Sequence, residues 1–261
     1  MLRSMQTAAT GMDSQQKLID TLSNNLANVN TTAFKGSRAN FHDLLYQNLE
    51  APGLSTTEGT IAPSGVQIGS GSRISSIDKD FREGAIKVTD KETDLMVQGQ
   101  GFFRIQMQDG NIAYTRDGSF HRSADGRLVT AEGLSVIPEI IIPPDTLTLK
   151  VATDGVVTVK VAGDQEPRNL GQIEVANFVN PTGLNAISRN LFSETPASGN
   201  AIVSIPGQNG TGTIGQGQLE ASNVNVVEQM VSMITGQRAY ELNSKVIKTG
   251  DEMLAATNQL V

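Results

Sequence analysis

Gly210-Thr-Gly-Thr-Ile-Gly215 spells G-x-G-x-x-G. In a dinucleotide site such glycines sit between a strand and a helix whose N-terminus takes the pyrophosphate. A short apolar run, 201–205, precedes this one, but Pro206 and Gly207 intervene, and the next helical pattern opens only near residue 223. The segment reads as a crossing loop. Gly99-Gln100-Gly101 lies between two strand-like runs and reads as a turn or bulge. Glu83, Asp90, Glu92 and Asp94 are close enough in sequence for two-carboxylate hydrolysis, yet all fall at strand ends and turns, where acids are ordinarily solvated. An exported peptidoglycan hydrolase, with Glu83 or Asp94 as its acid, is the remote reading. His42 and His121 are far apart, and His121 alternates with Phe120, which turns it to solvent without an orienting partner. With no cysteine, thiolate chemistry, disulfides and Cys-ligated zinc are excluded. No catalytic residue, cofactor or metal site is expected.

The net charge is −7 and no Lys/Arg run occurs, which disfavours nucleic acid and anionic membranes as partners. No apolar run approaches the roughly 20 residues of a membrane span, and the N-terminus lacks the apolar stretch of a cleaved secretory signal. Export, if it occurs, is expected to use an uncleaved N-terminal signal.

Two helices frame the chain. Over residues 1–30, Leu2, Met5, Ala9, Met12, Gln16, Ile19, Ser23 and Leu26 step by three and four, and a second row, Ala8, Gln15, Leu18, Leu22 and Val29, flanks them. Residues 223–261 repeat the pattern with Val226, Met230, Met233, Gln237, Tyr240, Ser244, Ile247, Asp251, Leu254, Asn258 and Val261, with Ser222 or Asn223 as cap. Gly11, Gly236 and Gly250 are weak points in these helices. Both seams are diluted with polar residues, so each helix alone is marginal. The pattern fits an ordinary intramolecular pair as well as helices ordered only among neighbouring molecules.

The middle alternates as strands do. Phe103, Ile105 and Met107 alternate with polar residues, as do Ile112 and Tyr114 with Ala113 and Thr115. Asp109-Gly110, Asp117-Gly118 and Asp125-Gly126 are spaced for an antiparallel meander with two-residue turns, and a fourth Asp-Gly falls at 154–155. Further strands are expected at 84–89, 93–98, 146–152, 156–161, 172–179 and 201–205. Residues 31–75, rich in Pro, Gly, Ser and Thr, read as an extended loop or loose hairpin. The fold class is α+β: antiparallel coiled-coil-type terminal helices flanking a mostly antiparallel β domain. The expected division is 1–30 with 223–261 (helical), 31–75 with 206–222 (connector, including an extended 46–66 stretch) and 76–205 (β domain).

Several motifs now carry a resemblance. Leu22-Ser-Asn-Asn-Leu-Ala-Asn-Val-Asn-Thr-Thr-Ala-Phe-Lys35, Leu219-Glu-Ala-Ser-Asn-Val-Asn-Val-Val-Glu228 and Gln237-Arg-Ala-Tyr-Glu-Leu-Asn-Ser-Lys245 resemble the terminal signatures of bacterial flagellar rod and hook proteins. Gln98-Gly-Gln-Gly-Phe-Phe103 and Tyr114-Thr-Arg-Asp-Gly-Ser-Phe120 are similar to that family's β domain. The segment Tyr46 to Gly69, above all Pro63-Ser-Gly-Val-Gln-Ile-Gly69, is similar to the distal-rod branch; another rod protein or a hook-like axial subunit is the alternative. Ala33 stands where the family usually has Gly, and Thr235-Gly236 replaces a bulkier pair.

The resemblance implies a non-enzymatic, self-assembling subunit of a rigid hollow helical drive shaft that transmits torque from motor to hook. Terminal helices would surround an export channel and the β domain would lie outside. Implied partners are copies of itself, proximal rod proteins, the hook protein or hook junction, the L and P rings of the envelope, and the flagellar type III export apparatus. Implied interface residues are the seams: Leu2, Met5, Met12, Ile19, Leu22, Leu26, Val29, Val226, Met230, Met233, Tyr240, Ile247 and Leu254. Asn24, Asn25, Asn28, Gln237 and Arg238 would set polar register, and the 46–66 stretch, with Tyr46, Pro52, Gly53, Pro63 and Gly65, would stiffen the tube.

Overall fold

A computed structural model describes residues 2–50, 64–162 and 166–259. The chain forms two compact units, one of residues 1–27, 37–78 and 225–261, the other of 28–36 and 79–224.

The first unit holds both long helices and four strands: α1 (Leu2–Ala27), β1 (Ser37–Asp43), β2 (Tyr46–Glu50), β3 (Val66–Gly69), β4 (Ser72–Lys79) and α2 (Val226–Gln259). β1 pairs with β4, and β2 pairs antiparallel with β3, Tyr46 opposite Gly69. The stretch read as a loop or loose hairpin is thus more ordered at its ends than expected. β1 and β4 escaped notice because Arg38, Asn40, His42, Arg73, Ser75 and Asp78 dilute the alternation that marks a half-buried strand. Pro52, Gly53 and Pro63 lie outside the described residues.

The second unit is β. Its strands are β5 (Ile86–Val88), β6 (Leu95–Gln98), β7 (Phe102–Gln106), β8 (Ile112–Thr115), β9 (His121–Arg122), β10 (Leu128–Val129), β11 (Ser135–Ile137) and β12 (Thr146–Val151). After them come β13 (Val156–Val161), β14 (Arg168–Gln172), β15 (Val175–Asn177), β16 (Asn185–Ser188), β17 (Leu191–Ser193), β18 (Ile202–Ser204), β19 (Thr213–Gln216) and β20 (Gln218–Glu220). The central sheet runs β16-β17-β8-β7-β11-β10-β9, with β15 joining β7 to β18. β12-β13-β14 form a second sheet, and β6 with β19 and β5 with β20 make two ribbons.

β7 explains why the central sheet is covered on both faces. Successive side chains of a strand point to opposite sides. Phe103 and Ile105 enter a core with Leu95, Phe120, Val136, Leu149, Val157 and Val175. Phe102 enters an aromatic cluster with Tyr114, Phe178 and Phe192, whose rings meet edge to face.

Three of the four Asp-Gly pairs make the expected turns, with Gly110, Gly126 and Gly155 at φ of +80° to +86°, a region open to glycine at little cost. Asp117-Gly118 does not. β8 pairs with β7 and β17, and β9 pairs with β10, so the simple meander fails at this turn. Here the chain crosses under β6 instead. Leu95 N–H donates to Gly118 O at 3.0 Å, Asp94 pairs with Ser119, and a Cβ on Gly118 would strike the Leu95 carbonyl. The run expected as one strand at 172–179 also divides: β14 joins the small sheet, and β15 the central one.

Candidate functional site: a helix pair and a buried clasp

α1 and α2 run antiparallel within the first unit. Met5 lies against Gly250, Asn243 against Gly11, Ile19 and Leu18 against Gly236, and Asn25 Nδ2 donates to Gln229 Oε1 at 3.0 Å. Gly236 and Gly250 are buried, so the expected weak points are places of close helix approach; a Cβ on Gly250 would sit 3.0 Å from Met5, whereas one on Gly236 would make ordinary contact with Ile19 at 3.4 Å.

On α1, Met5, Ala8, Met12, Gln15, Leu18, Ile19, Leu22 and Leu26 are buried or half-buried, whereas Leu2, Ala9, Gln16 and Ser23 are exposed. The flanking row therefore displaces part of the expected seam. The reason is polar: Ser14 Oγ donates to Ser72 O, Asn25 Nδ2 donates to Ser37 O and Ser37 N–H donates to Asn25 Oδ1, which turns that side of the helix toward β1 and β4. Val29 follows the helix end, in a turn.

On α2, Val226, Met233, Ile247 and Leu254 are half-buried, while Met230, Gln237, Arg238 and Tyr240 are exposed. Asn225, not Ser222 or Asn223, caps it, its Oδ1 accepting Val227 and Glu228 N–H. Opposite the contact face lies an apolar stripe that none of the described residues of the unit covers: Val227 (71% exposed), Val231 (59%), Ile234 (53%) and Leu242 (65%), flanked by Met230 and Val246. Ordinary surface helices keep that side polar; a contiguous apolar stripe marks an interaction surface. Of the other expected register residues, Asn24 is exposed and Asn28 Oδ1 accepts the Thr31 hydroxyl. Tyr46 is exposed on β2 with its ring over Gly69, and Gly65 is half-buried.

The second unit holds a cluster that sequence reasoning missed. Glu220, fully buried, takes Lys35 Nζ on Oε1 at 2.5 Å and Arg116 Nε on Oε2 at 2.9 Å. Gly84 N–H also donates to Oε1, and Lys35 Nζ also donates to Arg82 O. Arg116 donates further to the carbonyls of Gly99, Gly101 and Val97. Burial pushes Glu220 upward, but Arg116 and then Lys35 outweigh it and hold the carboxyl below its ordinary value. Lys35 is lowered, by burial first.

Backbone bonds join the same segments. Ala33 N–H donates to Glu220 O at 2.7 Å, Gly36 N–H to Asn223 Oδ1 at 2.8 Å, and Asn223 Nδ2 to Asp80 O at 2.7 Å. The cluster is a clasp that fastens residues 33–36 beside 220–223. The sequence signal was a Lys and a Glu inside otherwise apolar and small-residue motifs, but the partners are 185 residues apart.

Ala33 is the strained element of the clasp, at φ +56° and 1% exposed. A β-branched residue fits neither that backbone nor that space. Ala33→Val is expected to cost about 2–3 kcal/mol, and Ala33→Gly to change stability by less than about 0.5 kcal/mol, because relief of strain offsets chain entropy and the lost methyl. Urea unfolding of both variants checks this.

The residues weighed for chemistry have structural duties. Glu92 Oε2 accepts Leu149 N–H, and Glu83 Oε1 accepts Gly99 N–H. His121 is exposed. Gly212 lies against the backbone of Gln98 and Gly99, and the G-x-G-x-x-G run enters β19, a strand. A cleft of about 410 Å³ beside the clasp is lined by Phe81, Phe102, Arg116 and Pro181, and four of the five Arg116 N–H donors are already committed to Glu220 and the three carbonyls. No helix among the described residues is long and apolar enough to cross a membrane.

Three family models match. One described as flagella basal body rod protein covers residues 5–35, one described as flagellar hook protein FlgE/F/G D1 domain covers 96–159, and one described as flagellar basal body rod FlgEFG protein C-terminal covers 216–260. Among curated relatives, the flagellar basal-body rod protein FlgG of Buchnera aphidicola (subspecies Schizaphis graminum) is 48% identical over 260 residues, with all of both chains covered. The proteins of the same name from Borreliella burgdorferi and Caulobacter vibrioides are 47% and 45% identical, and at least 99% of each chain is covered.

Proposed function

The chain belongs to the FlgG family of flagellar basal-body rod proteins, and from that membership we propose that it is a non-enzymatic structural subunit of the distal rod. Copies add through a heterologous interface that does not close on itself, the kind of contact that generates a helical polymer. The polymer is a rigid hollow shaft that carries torque toward the hook. The observation that supports this reading is the uncovered apolar stripe of α2. A subunit that ended its life as a monomer would have no reason to keep Val227, Val231, Ile234 and Leu242 in water.

In this reading the antiparallel pair is of coiled-coil type, and its seam residues divide between two tasks. Met5, Met12, Ile19, Leu22, Leu26, Val226, Met233, Tyr240, Ile247 and Leu254 hold the two helices together, and Met230 flanks the stripe that meets neighbours. Leu2 serves the same surface. Asn24, Gln237 and Arg238 set register between copies, and Asn25 sets it within one. The helices, the connector and the β domain are the three working parts. Export through the flagellar type III apparatus without signal cleavage, contact with the envelope rings, and junctions with proximal rod and hook proteins complete the proposed setting.

The 46–66 stretch is the proposed stiffener. Full-length protein at high concentration should form straight tubes under electron microscopy, and a 46–66 deletion should form bendable ones. Straight, rigid polymers from the deletion would remove the stiffening role, and no polymer from the full-length chain would remove the rod reading itself.

A further inference from the structure

The turn where the meander fails sets Asp117 near Asp94, and among the described residues no Lys or Arg pairs with either carboxylate. Asp94 is 3% exposed, and its Oδ1 accepts no hydrogen bond. Its partner across the β6 crossing is Ser119. Ser119 N–H donates to Asp117 Oδ1 at 3.0 Å, so the Asp117 carboxyl and the Asp94 backbone meet at one residue.

The charged groups of the surrounding elements are committed elsewhere. Arg189 and Glu132, which line a small cavity of about 60 Å³ with Asp117, pair with each other at 2.8 Å. Arg116, the next residue along, is turned to Glu220. Glu92 takes Leu149 N–H, and Asp90 and Lys91 sit in the exposed turn before Asp94. His121 on β9 is the one neighbour whose charge favours the Asp117 anion, and it is exposed, with Nδ1 3.2 Å from Ser119 O.

We propose that Asp117, set beside Asp94, forms an acid-strengthened latch, in which a proton taken up by Asp117 in mild acid tightens the crossing of β6 over the 117–119 turn. Two like charges close together repel, and Asp94, buried, and Asp117, half-buried, each forfeit hydration. One proton removes the repulsion and leaves the Asp117 acceptor to Ser119 N–H in place. The direction at Asp117 agrees: burial first, and Asp94 with it, push its carboxyl above the ordinary value, against the Ser119 N–H and His121. A carboxyl raised in the folded state contributes stability that is fully present below its unfolded pKa and is lost as pH rises through the folded value.

The test compares the full chain with Asp117→Asn, which keeps the acceptor for Ser119 but carries no charge. At neutral pH the variant should melt about 2–4 °C above the parent. The gap should close as pH falls toward the ordinary aspartate range, about pH 4. A variant no more stable than the parent at neutral pH, or a gap that ignores pH, would overturn the latch. Carboxyl-carbon NMR of the parent gives a second readout that does not depend on the variant folding. Asp117 should titrate above ordinary aspartates, and Asp94→Asn should lower its midpoint; a midpoint at or below the ordinary range would equally sink the idea.

Discussion

Ile234→Asp is expected to abolish polymer growth while leaving the subunit folded. Ile234 is half-exposed on the outer face of α2, between Val231 and Leu242. A substitution at such a site shifts the subunit's own stability by about 0.5 kcal/mol or less. In the proposed polymer the same position is covered by a neighbour. Losing a buried Ile there forfeits about 1.5–3 kcal/mol of apolar burial, and forcing a carboxylate into contact adds several kcal/mol of desolvation. Every subunit carries the defect, so it recurs at each addition. At 1.4 kcal/mol per tenfold, a penalty of even 3 kcal/mol raises the concentration needed for growth by about 100-fold. Sedimentation and electron microscopy should show dispersed protein at concentrations where the parent forms tubes, with an unchanged melting curve. Tubes forming from Ile234→Asp at the parent's concentration would show that the stripe faces water in the polymer, and the assembly surface would have to be sought elsewhere.

The helices and most strands were legible because their periods are local. Leu18, Ile19, Leu22 and Leu26 announce a helix face without knowledge of any partner. What one helix cannot announce is which of two adjacent rows turns inward. Ala8, Gln15 and Leu22 win over Ala9, Gln16 and Ser23 because Ser14 and Asn25 are drawn to Ser72 and Ser37, residues of strands whose polar composition hid them. Gly236 and Gly250 were read by propensity alone, where glycine weakens a helix; the deciding fact is what faces them, Ile19 and Met5. Asp117-Gly118 has the same composition as three true hairpin turns. It differs because Leu95 approaches it from outside the local sequence. The interface stripe was half legible: Met230, at its flank, was on the expected seam, but Val227, Val231 and Ile234 belong to the opposite face, and a periodic pattern with two apolar rows does not say which row the chain itself will use. The clasp was not legible, since pairing Lys35 with Glu220 requires knowing that the two ends of the β unit return to the same place.

Glu220→Ala is expected to be the most destabilising single change in the β unit, at about 3–5 kcal/mol. Glu220 is the one carboxylate between two buried cations. Removing it leaves Lys35 and Arg116 facing each other without compensation, and orphans the Gly84 N–H as well. Lys35→Met should cost much less, about 1–2 kcal/mol, because Glu220 keeps Arg116 as a neutralising partner and the thioether fills the space of the Lys stem. Packing alone would give the same order, since Met keeps the Lys volume and Ala does not keep that of Glu, so the pH dependence of the loss is what separates charge from packing. Acid should narrow the difference between parent and Glu220→Ala. A carboxyl depressed in the folded state gives stability that is present above its unfolded pKa and is lost as pH falls through the folded one, and Glu220 is depressed. The gap measured by urea unfolding should therefore be full at neutral pH and shrink once pH drops below the ordinary glutamate value. Equal losses from Glu220→Ala and Lys35→Met, or a gap unchanged in acid, would mean that the fastening of residues 33–36 to 220–223 rests on the Ala33 and Asn223 hydrogen bonds rather than on charge.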